Sequence, residues 1–261
     1  MKKLLEKAIE ASILGGIEIL KIYAQDFEVE TKSDESPLTL ADQNAHIAIE
    51  KELTQLDYPI LSEEGRDIPY SERKNWKRFW MVDPLDGTKE FVKRNGEFTV
   101  NVALIEDGKS ILGVIYVPVS KELYFSAKGI GSFKALDVLA YSSLDDLMEK
   151  ANKLPLKNDS DTVLIVASRS HLSKETEGFI AEQKLKYPKV DTMSKGSSLK
   201  LCMVAEGRAK FYPRYAPTRE WDTAAGQAIC ELAGFSVLQY GTEDDVVYNK
   251  KDILNPWFLV R

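Results

Sequence analysis

One short stretch constrains the fold more than any other: Lys77-Arg78-Phe79-Trp80-Met81-Val82-Asp83-Pro84-Leu85-Asp86-Gly87-Thr88. The apolar run Phe79 to Val82 reads as a strand buried on both faces, with an abrupt end. Asp83 follows at once. Pro84 then removes a backbone donor and fixes φ, so neither Val82 nor Asp83 lies inside a helix. Asp86-Gly87 is a turn pair, because Gly87 takes φ > 0 without a Cβ clash. Two carboxylates therefore sit three residues apart on a tight turn closing a buried strand. Folding gains nothing from two like charges held close, and a cation between them relieves the repulsion. The stretch predicts a divalent metal site.

The 261 residues suit one large or two small domains and can bury a real core. Apolar residues at 44% and charged residues at 29% place the chain among ordinary soluble globular proteins. A net charge of −6 argues against general nucleic-acid binding and leaves room for a local basic pocket. Cys202 and Cys230, the only cysteines, fall in periodic apolar stretches and read as buried thiols of a reducing compartment. Met1-Lys2-Lys3-Leu4-Leu5-Glu6 turns acidic too soon for a secretory leader, and no run reaches transmembrane length.

In chain order, residues 2 to about 23 are helical by period, with Leu4, Leu5, Ala8, Ile9, Ser12, Ile13, Gly16, Ile17 and Leu20 on one face. Gly15-Gly16 interrupts the propensity and leaves two alternatives open, close packing or a kink. Asp26 to Lys32 alternates as a strand, and Lys32 to Thr39 begins as loop. A helix is expected over 41–56, with Thr39 as a candidate cap and Asp42 in the first turn, where the dipole favours a negative charge. Tyr58 to Gly65 repeats the opening pattern, an apolar strand ending in acids and a glycine. Residues 66–77 read as solvated surface, including the basic cluster Arg73, Lys74, Lys77 and Arg78. Glu97 to Ile105, Ile111 to Val117 and Glu122 to Ala127 form an antiparallel meander, with Asp107-Gly108 as the first turn. Residues 134–158 are weakly patterned apart from a short helix over 144–153, so the division between an N-terminal α+β domain (1–150) and a C-terminal α/β domain (151–261) is placed there. Beyond it strands (162–167, 189–193, 209–212, 235–238, 257–260) alternate with helices (174–186, 197–206, 223–232), the grammar of a layered α/β unit.

Four acidic places belong to one argument: Asp42, the Glu63-Glu64 pair, Asp83 with Asp86, and Asp222 at the start of the last long helix. Asp42 and Asp222 each also have a plain reading as helix-end charges. His46 and His171 lie far apart and no His or Cys cluster exists, so zinc is excluded and oxygen-only coordination suits Mg²⁺ or Mn²⁺. A turn rich in carboxylates and followed by the free amides of Gly87 and Thr88 can hold a metal beside a phosphate. The expected chemistry is hydrolysis of a phosphate ester with two metals about 4 Å apart, one acidifying the attacking water and one steadying the leaving oxygen. The Thr88 hydroxyl is a candidate for orienting that water.

These residues also resemble a known family. Asp83-Pro84-Leu85-Asp86-Gly87-Thr88, Leu61-Ser62-Glu63-Glu64 and Trp221-Asp222-Thr223-Ala224-Ala225-Gly226 are similar, in family order, to the three boxes of the lithium-sensitive, magnesium-dependent phosphatases. That group holds inositol monophosphatases, fructose-1,6-bisphosphatases and 3'(2'),5'-bisphosphate nucleotidases. The resemblance implies an α-β-α-β-α sandwich with the active site between the domains. It implies that Glu63, Asp83 and the Leu85 carbonyl hold one Mg²⁺, that Asp83, Asp86 and Asp222 hold a second, and that Asp42 lies near a third. It gives Glu63 and Thr88 the nucleophilic water, and the Gly87 and Thr88 amides the phosphate.

Within the family the chain most resembles the bacterial bisphosphate nucleotidases. The marks are Lys32-Ser33-Asp34-Glu35-Ser36-Pro37, Thr88-Lys89-Glu90-Phe91, Asn95 to Asn101, Ser168-Arg169-Ser170-His171, Gly196-Ser197-Ser198-Leu199-Lys200 and Phe211-Tyr212-Pro213-Arg214. The resemblance implies that Ser197, Lys200 and Arg214, with His171, line the nucleotide site. It implies release of the 3'-phosphate of adenosine 3',5'-bisphosphate, and activity on 3'-phosphoadenylyl sulfate. A second phosphate needs cationic partners, which Lys200 and Arg214 can supply. Inositol monophosphatase shares every metal residue and is the first alternative, with fructose bisphosphatase behind it. A catalytically silent metal- or phosphate-binding regulator is the alternative of another class. Some similar proteins have been assigned to the cytoplasmic face of the inner membrane, but this sequence offers no basic, aromatic amphipathic anchor, so a cytoplasmic location is expected.

Overall fold

The computed structural model describes residues 1–25, 37–167 and 173–261. In order, the elements are α1 (Lys2–Tyr23), α2 (Pro37–Leu53), β1 (Ile60–Ser62), α3 (Tyr70–Arg73), β2 (Arg78–Asp86), α4 (Thr88–Val92), β3 (Thr99–Glu106), β4 (Lys109–Val117), β5 (Glu122–Ala127), β6 (Gly131–Ala135), α5 (Leu144–Lys150) and β7 (Asn152–Lys153). There follow β8 (Val163–Ala167), α6 (Lys174–Lys186), β9 (Val190–Ser194), α7 (Leu199–Ala205), β10 (Tyr212–Arg214), α8 (Glu220–Leu232), β11 (Val237–Gln239) and β12 (Phe258–Val260). The strand expected over 26–32 and the residues 168–172 lie outside the described residues.

Strands β1 to β7 form one sheet in chain order, parallel between β1 and β2 and antiparallel thereafter. Alternation in β2 sends Trp80 and Val82 to the core under α1 and α2, and Phe79 and Met81 to the core under α7 and α8. Each such fully buried large side chain stabilises the fold by about 1.5–3 kcal/mol. Beyond α7 and α8 lies a second layer of strands, β10-β12-β11 and the pair β8-β9, joined by a bridge from Ile165 to Phe211. Helix α6 covers its far side, where Phe179 meets Phe211 edge-on at 5.5 Å. The order of layers is α-β-α-β-α.

Several expectations are corrected. Strand β2 does not stop at Val82: it runs to Asp86 through an irregularity between the pairs Asp83–Asn101 and Asp86–Thr99. Pro84 sits inside that break, where no ladder donor is needed. Helix α2 starts at Pro37, as proline's fixed φ and missing N–H allow in a first turn. Thr39 is therefore not its cap, and Asp42 stands in the second turn rather than the first. Arg73, expected on the surface, is buried and donates to Asn249 Oδ1 at 2.8 Å and the Lys250 carbonyl at 2.7 Å. Gly15-Gly16 makes no break in α1: a Cβ on Gly16 would lie 2.6 Å from the Tyr116 ring, so the pair serves close packing. Residues 134–158 extend the main sheet through β6 and β7. The strand expected over 209–212 starts three residues later, at Tyr212, and ends at Arg214.

Candidate active site

Strands β1 and β2 are parallel neighbours, and the Glu63 N–H continues their ladder by donating to the Val82 carbonyl at 3.1 Å. Glu63 and Asp83 thus emerge side by side where the parallel pairing of β1 and β2 ends, just past Ser62 and Val82. Helix α8 brings Asp222 to the same point from the other half of the chain. Its approach is fixed where Ser110 Oγ donates to the Ala224 carbonyl at 2.8 Å. Carboxylate oxygens of Glu63, Asp83 and Asp222 all lie within 4.8 Å of one another. This cluster can hold a divalent metal. It also separates Glu63 from Glu64, which the bare sequence leaves open.

The charges in this cluster are unfavourable without a cation. Asp83 is fully buried and its carboxyl is held well above the usual range, by burial first and then by Asp86, Glu63, Asp222 and Asp42. Glu63 is pushed up to about 7 by burial, then by Asp86 and Glu64, with Arg219 pulling the other way. Glu63 is exposed as a residue, but protein atoms crowd its carboxylate end, which faces Asp83. Asp222 also rises to about 7, by burial and then Asp86, against the Arg219 N–H that donates to its Oδ2 at 2.9 Å. Asp86 and Asp42 act on the cluster through their charge but are not among the three converging carboxylates. The Leu85 N–H donates to Asp83 Oδ1 at 3.1 Å and so fixes that side chain's direction.

A cleft of about 230 Å³ opens beside the cluster, lined by Asp86, Gly87, Thr88, Ser197, Lys200 and Arg214 among others, with Asp222 on its wall. Gly87 has φ +100 and starts α4, and a Cβ there would press on Phe98 and Ser197 at 3.2 Å. Lys200 is buried, and its ammonium donates to the carbonyls of Lys195 and Ser197. Burial first, and Arg214 among its neighbours, lower its pKa to about 8 although Asp86 opposes them. Arg214 donates to the Pro217 carbonyl at 2.9 Å. His171 lies outside the described residues. His46 is structural, with Nδ1 3.0 Å from Ser62 Oγ.

A profile described as "Inositol monophosphatase family" matches residues 1–257. The chain belongs to the inositol monophosphatase family. Inside the family it falls with CysQ proteins. It is 43% identical over 262 residues to "3'(2'),5'-bisphosphate nucleotidase CysQ" of Salmonella typhimurium, covering 98% of this chain and 99% of that one. The Haemophilus influenzae protein of the same name is 30% identical over 98% of this chain and 92% of its own length. The crystal structure of CysQ from Bacteroides thetaiotaomicron superposes with a TM-score of 0.96 at 49% identity, covering 100% of this chain and 97% of that one. An inositol monophosphatase from Zymomonas mobilis, at 21% identity, TM-score 0.74 and coverage of 99% and 92%, shares the fold.

One part of the site escaped the reading of the sequence. Asp86 Oδ2 accepts from Ser197 Oγ at 2.7 Å and lies 3.4 Å from Asn101 Nδ2. Behind it stand Thr99 and Ser198, both buried. A signal for them existed: Thr99 and Asn101 are polar residues at consecutive same-face positions of a strand that is apolar on both faces from Val102 to Ile105.

Proposed function

We propose that the chain is a Mg²⁺-dependent phosphomonoester hydrolase that removes the 3'-phosphate of adenosine 3',5'-bisphosphate, giving AMP and phosphate. 3'-Phosphoadenylyl sulfate is a second substrate. The observation that carries this is the carboxylate cluster opening onto a cleft that also holds Lys200 and Arg214. The donor set fits Mg²⁺: the oxygens are hard, they converge, and their raised carboxyls signal a repulsion that a divalent cation removes. Glu63, Asp83 and the Leu85 carbonyl would hold one ion, and Asp83, Asp86 and Asp222 a second, a reading supported by the convergence of Glu63, Asp83 and Asp222. Asp42 adds negative charge for a third. Mn²⁺ substitutes for Mg²⁺ in the same set. When bound, Mg²⁺ supplies Lewis acidity, neutralising phosphoryl charge and acidifying a water.

The chain's own residues then have separate tasks. Glu63 and the Thr88 hydroxyl would orient the attacking water. The Gly87 and Thr88 amides hold the phosphoryl oxygens. Ser197, Lys200 and Arg214, with His171, hold the nucleotide and its second phosphate. One observation favours the inositol phosphate alternative: the Lys200 ammonium already has two carbonyl partners. We place the N-terminal unit at 1–150 and the C-terminal unit at 151–261, although β7 carries the main sheet to Lys153. Among the described residues no helix is long and apolar enough to cross a membrane. The two buried free thiols suit the cytoplasm. The test is phosphate release with Mg²⁺ from adenosine 3',5'-bisphosphate, inositol 1-phosphate and fructose 1,6-bisphosphate, beside Asp83→Asn. Preference for the nucleotide, lost in the variant, is expected. Preference for inositol phosphate would keep the metal chemistry and remove the roles given to Lys200 and Arg214.

A further inference from the structure

Thr99 and Asn101 are 0% and 1% exposed, and the chemistry above gives neither a task. Burying an amide and a hydroxyl is tolerated only where partners satisfy them, so the partners identify the role. Thr99 Oγ1 lies 2.5 Å from Ser197 Oγ, 2.8 Å from Ser198 Oγ and 3.0 Å from Asn101 Oδ1. Ser198 Oγ lies 2.9 Å from Asn101 Oδ1.

Counting protons gives the cluster a direction. A hydroxyl has one proton to donate, and an ionised Asp86 can only accept. Ser197 spends its proton on Asp86 Oδ2 at 2.7 Å, so it cannot also donate to Thr99. Thr99 also has one proton and two acceptors for it, Asn101 Oδ1 at 3.0 Å and Ser197 Oγ at 2.5 Å, so with Ser198 on Asn101 Oδ1 its proton is available to Ser197. Ser198 is then placed to serve Asn101 Oδ1, while Asn101 Nδ2 points its own proton at Asp86 Oδ2. Two donors thus reach Asp86 Oδ2, Ser197 Oγ and Asn101 Nδ2, with Thr99 and Ser198 packed behind them. Such networks strengthen along their length.

The same four residues join the two halves of the molecule. Thr99 and Asn101 belong to β3, and Ser197 and Ser198 to the loop before α7. That loop is held a second time by Glu97, which meets Lys195 Nζ at 3.0 Å and accepts from the Gly196 N–H at 3.0 Å. It also carries the carbonyls that hold the Lys200 ammonium.

We propose that Thr99 and Asn101 are positioning residues, which fix the Asp86 carboxylate through Ser197 and tie it to the loop that holds Lys200. Divalent-metal binding and nucleotide binding then reinforce each other, and by linkage the effect is reciprocal. The inference rests on the reading of Asp86 as a metal carboxylate.

The test is calorimetric titration of Mg²⁺ into the protein, alone and with saturating AMP, for wild type, Thr99→Val, Thr99→Ser and Asp86→Asn. Thr99→Val keeps the shape and loses the hydroxyl. It is expected to weaken Mg²⁺ binding about 10–100-fold, as loss of a partner behind a ligand does, and to shrink the gain from AMP. Thr99→Ser restores both. Wild-type Mg²⁺ affinity in Thr99→Val, where Asp86→Asn weakens it, overturns the proposal. Equal weakening in Thr99→Ser also overturns it, because packing would then be the cause. Should Asp86→Asn bind Mg²⁺ normally, the metal reading of Asp86 falls, and this inference with it. If Thr99→Val does not fold, Ser197→Ala removes the last hydroxyl alone and must show the same loss.

Discussion

Lys200 is a cation that the fold holds away from water. Its carbonyl partners do not fully replace hydration, and burial lowers its pKa from 10.5 to about 8. The linkage sign follows. Below about pH 8 the amine is charged in both folded and unfolded chains, and the full burial penalty is present. Between about 8 and 10.5 the folded chain sheds the proton first, and the penalty is relieved as pH rises. Lys200→Met keeps an unbranched side chain one atom shorter and removes the charge. It is expected to melt at or above the wild-type temperature at neutral pH, with the difference shrinking past about pH 8. Its KM for the bisphosphate is expected to rise about 10–100-fold, with a smaller fall in kcat, since a charge-assisted contact is worth about 1.5–3 kcal/mol. Arg214→Met should shift KM in the same sense. Unchanged KM in both variants would mean that neither cation meets the second phosphate.

Helix α8 is the element on which the site turns, because among the described residues it brings the one C-terminal carboxylate, Asp222, into the cluster. It packs so closely on β4 that a Cβ on Gly113 would fall 2.2 Å from the Ala225 carbonyl oxygen. Gly113→Ala must push the helix away, at about 1–3 kcal/mol or more. Gly234, just past the end of α8, has φ +99 and open space around it. Gly234→Ala is therefore strained by about 1–2 kcal/mol through its backbone alone. Both variants are expected to melt earlier, but only Gly113→Ala should also lose Mg²⁺ affinity, because Asp222 moves with the helix. Equal Mg²⁺ affinity in the two would show that the cluster tolerates displacement of α8.

The same element shows what was legible in the sequence. Its period, its terminal glycine and Asp222 near its start were all readable, because these are local signals. Strand β5 and helix α6 were readable to the residue for the same reason. The burial of Arg73 and the route of 134–158 were not. Both depend on partners far along the chain, Asn249 in one case and the edge of the main sheet in the other. The hydroxyl chain behind Asp86 joins residues 99–101 to 197–198, and only the tertiary fold makes them neighbours.

At the scale of the molecule, the fold converges carboxylates from both halves in a chain that already carries a net charge of −6. Without a cation the folded state holds protons that the unfolded chain has shed. Glu63 and Asp222 have ordinary values of 4.5 and 3.8, and the fold raises both to about 7. The stability that these protons provide is fully present below the unfolded values and is lost as pH rises through about 7. A divalent ion takes the protons' place, and it binds well only where they have left. The metal-free protein should therefore lose melting temperature between about pH 5 and 8, and Mg²⁺ should restore it. The rise in melting temperature on adding Mg²⁺ should be small near pH 5 and large near pH 8. Asp83→Asn removes the innermost charge, so its metal-free form should depend less on pH and its response to Mg²⁺ should nearly vanish. A Mg²⁺ response of equal size at both ends of that range would place the ion away from these carboxylates.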